Sequence, residues 1–198
     1  TVGGGITHTL GTLSIGNSTL LSYVGISGNV NNATAGLTFG TTTFTAATPV
    51  FDVSNIGLTM TLGALNGNFA FSKAGSGEMI LGTNSTRSGG TATLLAGTLK
   101  LSHASGLGTN AVPLQLNGGI LDLATDASVT AYNTTVGTDV TIISNRATSG
   151  AGITHVLGTL GIGANTLSIN QGANVSSGTS AVQFGNFTMT GAATLSPN

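Results

Sequence analysis

Three histidines are the side chains of this 198-residue chain best suited to bind a metal or to move a proton near neutral pH. His8 and His155 stand at the same place in two copies of the tripeptide Ile-Thr-His, so we expect both rings to have the same surroundings. His103 lies loosely near Asp122 and Asp126 in sequence, but a transition-metal site needs several ligands converging on one point. No aspartate period typical of calcium-binding solenoids occurs either. We therefore predict no metal site.

Hydrolytic enzymes need catalytic acid, base or nucleophile motifs, and this sequence does not contain them in a recognisable arrangement. Glycosidases and lyases use paired acids and bases in a groove, whereas the five acids are scattered along the chain, at Asp52, Glu78, Asp122, Asp126 and Asp139. No Gly-x-Ser-x-Gly elbow occurs, and the glycine-rich segment 75–78 lacks the lysine of a phosphate loop. The sequence predicts that the chain is not an enzyme, with no catalytic and no cofactor-binding residue.

The composition excludes two classes of partner. Four basic and five acidic side chains give a net charge of −1, too sparse for the Lys/Arg surface that would neutralise a nucleic-acid backbone. No apolar run approaches the roughly 18 residues of a membrane-spanning helix. We expect no nucleic-acid binding and no membrane insertion of this segment. With no cysteine, the sequence gives no redox argument for a compartment.

Short strands are the only secondary structure that the sequence favours. The chain has 32 glycines and 34 threonines and few strong helix formers. Apolar and polar residues alternate in short runs, which is the pattern of strands with one buried face. These runs are 58–62, 69–71, 99–101, 114–116, 121–123, 182–184 and 187–189. Glycine-rich turn signals separate them at 66–67, 88–90, 96–97 and 117–119. In this pattern Leu99 and Leu101 point inward and Lys100 outward.

An internal repeat selects among the all-β architectures. Residues 5–25 and 152–172 are identical at 13 of 21 positions with an offset of 147, and the similarity continues through 5–51 and 152–198. A solenoid tolerates such a restart, whereas a sandwich is a closed unit and a membrane barrel needs longer strands and aromatic girdles. We predict one continuous right-handed parallel β-helix (β-solenoid) over 1–198, with eight or nine coils of roughly 20–25 residues.

Residues 71–123 contain a motif series that resembles the autotransporter-associated β-strand repeat of bacterial surface proteins. The matching positions are Lys73, Gly75, Gly77, Leu81, Asn84, 88–91, 96–99, 107–108, 117–119 and Leu121. Arg87 or Thr86 stands where that family often has an aromatic residue before the glycine pair. The resemblance implies a passenger-type parallel β-helix outside a bacterial cell, and not a catalyst.

Surface chemistry leaves several readings open. Six Asn-x-Ser/Thr sequons are about as many as chance gives in this composition, at Asn17, Asn32, Asn84, Asn133, Asn174 and Asn186. Threonine runs at 41–43 and 59/61 are expected to face solvent, where they suit an uncharged strand, an ice-binding face or O-glycosylation. Tyr23 and Tyr132 are the aromatics expected outside, where a sugar could stack.

These observations predict a rod-like extracellular structural protein, either a passenger stalk or a fibre or filament subunit at a bacterial surface. Residues 1–12 and 192–198 contain no charged side chain to guard the exposed strand edges, so we expect continuation end to end, by covalent extension or self-association. The alternative is an adhesin or glycan-binding module displayed on the rod, with host or matrix glycans as partners. Because the chain has so few charges, its stability is expected to depend little on pH.

Overall fold

A computed structural model describes residues 6–22 and 35–198, and all of its regular structure in these ranges is β-strand. The strands of the first half are β1 (Thr7–Thr9), β2 (Leu13–Ile15), β3 (Thr19–Ser22), β4 (Ala35–Thr38), β5 (Thr42–Phe44), β6 (Val50–Val53), β7 (Leu58–Leu62), β8 (Leu65–Asn66), β9 (Phe71–Ala74), β10 (Glu78–Leu81), β11 (Ala92–Leu94) and β12 (Thr98–Leu101). Those of the second half are β13 (Leu114–Leu116), β14 (Ile120–Ala124), β15 (Thr134–Val136), β16 (Val140–Asn145), β17 (Gly150–Ala151), β18 (Thr154–Val156), β19 (Leu160–Ile162), β20 (Thr166–Gln171), β21 (Val175–Ser177), β22 (Ala181–Gln183), β23 (Phe187–Met189) and β24 (Thr194–Pro197). The described ranges contain no helix long and apolar enough to cross a membrane.

Parallel pairing stacks these strands into a β-solenoid of about seven turns, which confirms the fold class. The first side is a nine-stranded sheet in the order β1-β4-β7-β10-β12-β14-β16-β20-β24, and the second is an eight-stranded sheet in the order β23-β19-β15-β13-β11-β9-β6-β3. The third side has strands only near the two ends, in the sheets β2-β5-β8, β17-β21 and β18-β22. The middle coils close this side with irregular chain.

Alternation along each strand fills the interior with stacked apolar rows. On the first side, Met60, Met79, Leu99, Leu121 and Ile142 occupy one inward row, and each pairs in register with the next. All five are buried. Leu99 and Leu101 point inward and Lys100 outward, as the alternation predicts. Some strand bounds differ from expectation, since β9 begins only at Phe71 and β22 ends at Gln183.

Glycine turns let consecutive coils approach each other closely. Gly97 has φ of 67°, and a Cβ there would overlap the carbonyl oxygens of Gly75 and Gly77 in the coil below. Gly119 has φ of 77° and meets Gly97 in the same way one coil above. Only glycine combines this left-handed backbone with so close a contact, so the turn signals at 96–97 and 117–119 are confirmed.

Coil length is not constant along the solenoid. On the first side, in-register partners on neighbouring coils are about 20 residues apart from Thr59 to Glu78 and from Glu78 to Thr98. From Thr141 to Ser168 the separation is 27 residues. The added residues form β17 and β18 on the third side. The solenoid therefore widens at 145–153, where the chain leaves β16.

The sequence repeat falls on different sides of the solenoid. By the offset of 147 residues, β1, β2 and β3 correspond to β18, β19 and β20. β1 lies on the first side and β18 on the third, β2 on the third and β19 on the second, β3 on the second and β20 on the first. Each strand of the second copy thus lies one side further along the coil than its counterpart.

Candidate functional site

The three histidines do not converge. His8 is exposed on β1, whereas His155 is fully buried on β18, so the expectation that they share one environment was wrong. They differ because the repeat has moved by one side and because His8 lies in the first coil of the described structure. His103 accepts a hydrogen bond from the backbone N–H of Ser105 through Nδ1 at 3.2 Å. Within 6–22 and 35–198, no three His or acidic side chains form a possible metal-ion cluster.

Three of the five acids accept hydrogen bonds at bends, Asp52 within its own turn and Asp126 and Asp139 from the following coil. Asp52 accepts a hydrogen bond from the Ser54 hydroxyl at 2.9 Å, and Asp139 accepts one from the backbone N–H of Thr166 at 2.7 Å. Asp126 accepts from the Thr148 hydroxyl at 2.8 Å, and these hydrogen bonds lower its pKa. This pattern is that of side chains capping bends between coils, and none of the three faces another acid across a groove.

The other two acids meet at one lysine and form the charged row of the first side, which consists of Glu78, Lys100 and Asp122. Lys100 Nζ lies 4.0 Å from Glu78 Oε1 and 3.7 Å from Asp122 Oδ2. Lys100 and Asp122 are in-register partners on β12 and β14, so the strand pairing itself brings the charges together. Both acids therefore engage the same ammonium group.

Asp122 continues inward into a buried polar cluster with Asn145 and His155. Asn145 Nδ2 donates to Asp122 Oδ1 at 3.1 Å, and the Asn145 carbonyl oxygen lies 2.9 Å from His155 Nε2. Burial raises the pKa of Asp122 against the opposing effects of Asn145 and Lys100. Burial lowers the pKa of His155, although nearby backbone carbonyls and Asp122 favour its cation. A neutral imidazole is therefore the form that this interior favours.

A lysine occupies an inward row of the second side. Lys73 is fully buried and pairs in register with Phe51 below and Leu94 above. Its ammonium group reaches the bend and donates to the carbonyl oxygens of Ala74 at 2.6 Å, Gly75 at 2.8 Å and Ala96 at 3.1 Å. Burial lowers its pKa from 10.5 to about 8, while Asp52 opposes this effect.

An arginine fills the third side beneath an aromatic cluster. Arg87 Nη2 donates to the carbonyl oxygens of Phe69 at 2.8 Å, Gly89 at 2.9 Å and Gly90 at 2.7 Å. Its guanidinium carbon lies 5.5 Å from the ring centroid of Phe44 and 5.0 Å from that of Phe71. Burial lowers its pKa to about 10. Arg87 thus takes a buried position beside two aromatic rings.

The outward aromatics expected for sugar stacking are not where the sequence placed them. Tyr132 is fully buried, and its hydroxyl donates to the Gly108 carbonyl at 3.0 Å. Tyr23 lies outside the described residues. The threonine run at 41–43 is also only partly external, since Thr42 is buried and Thr43 exposed. Thr59 and Thr61 do lie on the outer face of β7.

Two shallow outer grooves lie on the C-terminal coils. One of about 320 Å³ is lined by glycines of the second side together with Thr135, Asn165, Thr188 and Thr190. The other, of about 260 Å³, lies beside Asp139 and Thr141. Their linings offer hydroxyl groups and one carboxylate, and no aromatic ring.

Several buried charges were missed from the sequence. Lys73, Arg87, Asp122 and His155 are all buried, so the expectation that stability depends little on pH does not agree with the structure. The available signal was the alternation itself, since Lys73 stands two residues after the inward Phe71. A small number of charges does not imply a small effect when those charges lie inside.

The last coil leaves its inward rows uncovered. Phe187, Met189 and Leu195 pair in register with Leu160, Ile162 and Leu167, and these three partners are buried. The side chains of the last coil are themselves 45 %, 52 % and 50 % exposed. The apolar interior of the solenoid is thus open at this end.

Comparisons of the chain with protein-family models, with curated proteins and with solved structures find no match.

Proposed function

We propose that this chain is a structural, non-catalytic segment of an extracellular rod, a passenger stalk or a fibre subunit of a bacterial surface or secreted assembly. The observation that carries the proposal is the stack of apolar rows inside the described coils, which remains exposed at β23 and β24. The resemblance of residues 71–123 to the autotransporter-associated repeat supports a location outside the cell.

The open end favours addition of a further coil. Phe187, Met189 and Leu195 form an apolar surface bordered by the unpaired strand edges of β22, β23 and β24, and no charged residue occurs in 181–198. Exposed strand edges without charges pair readily with another strand. Either an extension of the chain or a second copy supplies the same chemistry, a parallel coil with an apolar inner row.

Sedimentation velocity and negative-stain electron microscopy of the 198-residue chain test association between copies. We expect rods whose lengths are multiples of roughly 40 Å, the span of the nine-stranded sheet at the strand spacing. Met189→Lys places a charge in the open interior and should abolish the longer rods. Thr188→Lys, on the outward side of the same strand, is the matched control and should leave them intact.

Two results would contradict association between copies. One is a species of constant single-rod length at every protein concentration, and the other is an equal effect of the two lysine substitutions. The first result would mean that the coil covering β22–β24 comes from an extension of the chain and not from a second copy. Compact globular particles would contradict the rod itself.

A glycan-binding role is the alternative that the grooves support. The 320 Å³ groove presents the hydroxyls of Thr135, Thr188 and Thr190 beside the Asn165 amide, groups that hydrogen-bond sugars. A glycan array with saturable binding that is lost in Thr135→Val would favour this function over a purely structural one. Absence of binding to every glycan on the array would contradict the glycan-binding role.

A further inference from the structure

The solenoid contains a joint where its narrow middle coils meet its wider C-terminal coils. The joint consists of residues 145–153, from the last residue of β16 to the residue before β18. Before the joint, the strands of the first side repeat about every 20 residues. After the joint, they repeat every 27 to 28 residues. Whatever fixes this segment also fixes how 150–198 sits on the rest of the rod.

Asn145 fixes the joint through both its side chain and its backbone. Its Oδ1 accepts from the backbone N–H of Arg146 at 2.9 Å and of Asn174 at 3.2 Å, while its Nδ2 donates to Asp122. Its carbonyl oxygen faces His155 Nε2 at 2.9 Å. One asparagine thus connects β14, the joint, the coil above and the interior of the third side.

The tautomer of His155 follows from this contact. Because a carbonyl oxygen only accepts, Nε2 carries the hydrogen, and Nδ1 is the unprotonated nitrogen of the neutral ring. Nδ1 is buried without a hydrogen-bond partner. Protonation at Nδ1 would therefore place a cation in a fully buried ring, where the backbone of Asn145 and Leu123 only partly offsets the loss of water.

Two charged side chains act on the ring. Asp122 on β14 favours the cation, and Arg146 in the joint opposes it. Each is already engaged, Asp122 with Lys100 and Arg146 with Asp126 at 3.2 Å. Burial outweighs Asp122, so the pKa of His155 lies below its ordinary value of 6.5.

We propose that His155 makes this joint acid-sensitive, so that proton uptake by its ring releases residues 150–198 from the narrow coils while 58–124 stay stacked. Proton binding favours the opened joint because the ring can be solvated only there. In an extended rod the same event would detach or loosen whatever lies beyond the joint. The inference concerns the conformation of this segment and does not depend on the proposed structural role.

The expected magnitude follows from linkage. A group whose pKa is lowered by the folded state destabilises that state once the pH falls below the ordinary value, by up to tenfold for each pH unit. Opening of the joint should therefore become up to about thirtyfold more favourable between pH 7 and pH 5.

Hydrogen exchange of the full chain, corrected for the intrinsic pH dependence of amide exchange, measures this opening. His155→Gln keeps an N–H donor toward Asn145 but takes up no proton, while it retains Asp122 and the other titrating groups. We therefore expect the ratio of wild-type to His155→Gln protection within 150–198 to fall from pH 7 to pH 5, by up to the factor above, with the ratio for 58–124 unchanged. His8→Gln changes the equivalent, exposed histidine of the repeat and should retain the wild-type pH response.

Three outcomes would overturn the proposal. They are a ratio of wild-type to His155→Gln protection in 150–198 that is unchanged from pH 7 to pH 5, a ratio that rises, or a wild-type pH response that disappears in His8→Gln. If His155→Gln does not fold, NMR titration of the wild-type rings decides. The proposal then requires the His155 ring to protonate only as 150–198 loses protection, and a ring that protonates in the protected state would refute it.

Discussion

Lys73 gives a sharp test of the buried charges, because its burial reverses the usual effect of alkaline pH on stability. The pKa of Lys73 falls from 10.5 to about 8 on folding. Below about pH 8 both the folded and the unfolded chain carry the ammonium. Between about pH 8 and 10.5 only the unfolded chain keeps it, so the unfolded state binds more protons and stability rises with pH. The full difference corresponds to about 3 kcal/mol.

The substitution Lys73→Met isolates this effect. Methionine fills the inward row between Phe51 and Leu94 but cannot donate to the carbonyls of Ala74, Gly75 and Ala96. The substitution leaves these three carbonyls without their donor, which costs roughly 1–3 kcal/mol for each group that stays unpaired, so the variant should be less stable at pH 7 by about 3 kcal/mol. The deficit should then widen by up to about 3 kcal/mol toward pH 10.

Urea unfolding of wild type and variant at pH 7, 8, 9 and 10 provides the measurement, and comparing the two at each pH cancels other titrating groups. Lys100→Met makes the same chemical change on the solvent side of the coil and is the matched control. The reasoning fails if the difference between wild type and Lys73→Met is the same at pH 7 and pH 10. It also fails if the two lysine variants respond to pH alike.

Three further substitutions test other parts of the structure by urea unfolding. Leu99→Asp buries an unpaired carboxylate and should lower the unfolding free energy by several kcal/mol. Lys100→Asp, whose carboxylate faces Glu78, should lower it by about 1 kcal/mol. Equal losses in the two variants would refute the register. Arg87→Met leaves three carbonyls without their donor and should cost about 3 kcal/mol, so an unchanged midpoint would contradict the importance of these bonds. Asp122 has a raised pKa, so wild type should lose stability relative to Asp122→Asn as the pH rises above about 4, and this comparison cancels the opposite effect of His155; a parallel pH profile of the two proteins would exclude the effect.

The strand pattern and the core row could be read from the sequence because both depend on local spacing. Alternation along β12 places Leu99 inside and Lys100 outside whatever the neighbouring coils contain. Glycine at 97 and 119 marks turns for the same local reason, since only glycine adopts that backbone beside a neighbouring carbonyl. A solenoid followed from many such strands together with a long repeat.

The partners of the buried charges could not be read in this way. The ammonium of Lys73 is satisfied in part by Ala96, one coil away, and the guanidinium of Arg87 packs on Phe44, two coils below. These contacts depend on which residues the stacking brings into register, and register depends on the lengths of all the intervening turns. The burial of Tyr132, which was expected on the outside, likewise depends on this stacking.

The sequence by itself therefore determined that short strands alternate with glycine turns, which side chains point inward in strands such as β12, and that the strands stack as a solenoid. Only the tertiary structure decided on which side of the solenoid a given strand lies. His8 and His155 stand in the same Ile-Thr-His tripeptide, yet one is exposed on the first side and the other buried on the third. The physical reason is that the side on which a strand lies depends on how many residues all the preceding coils contain. That number is a property of the whole chain and not of the tripeptide.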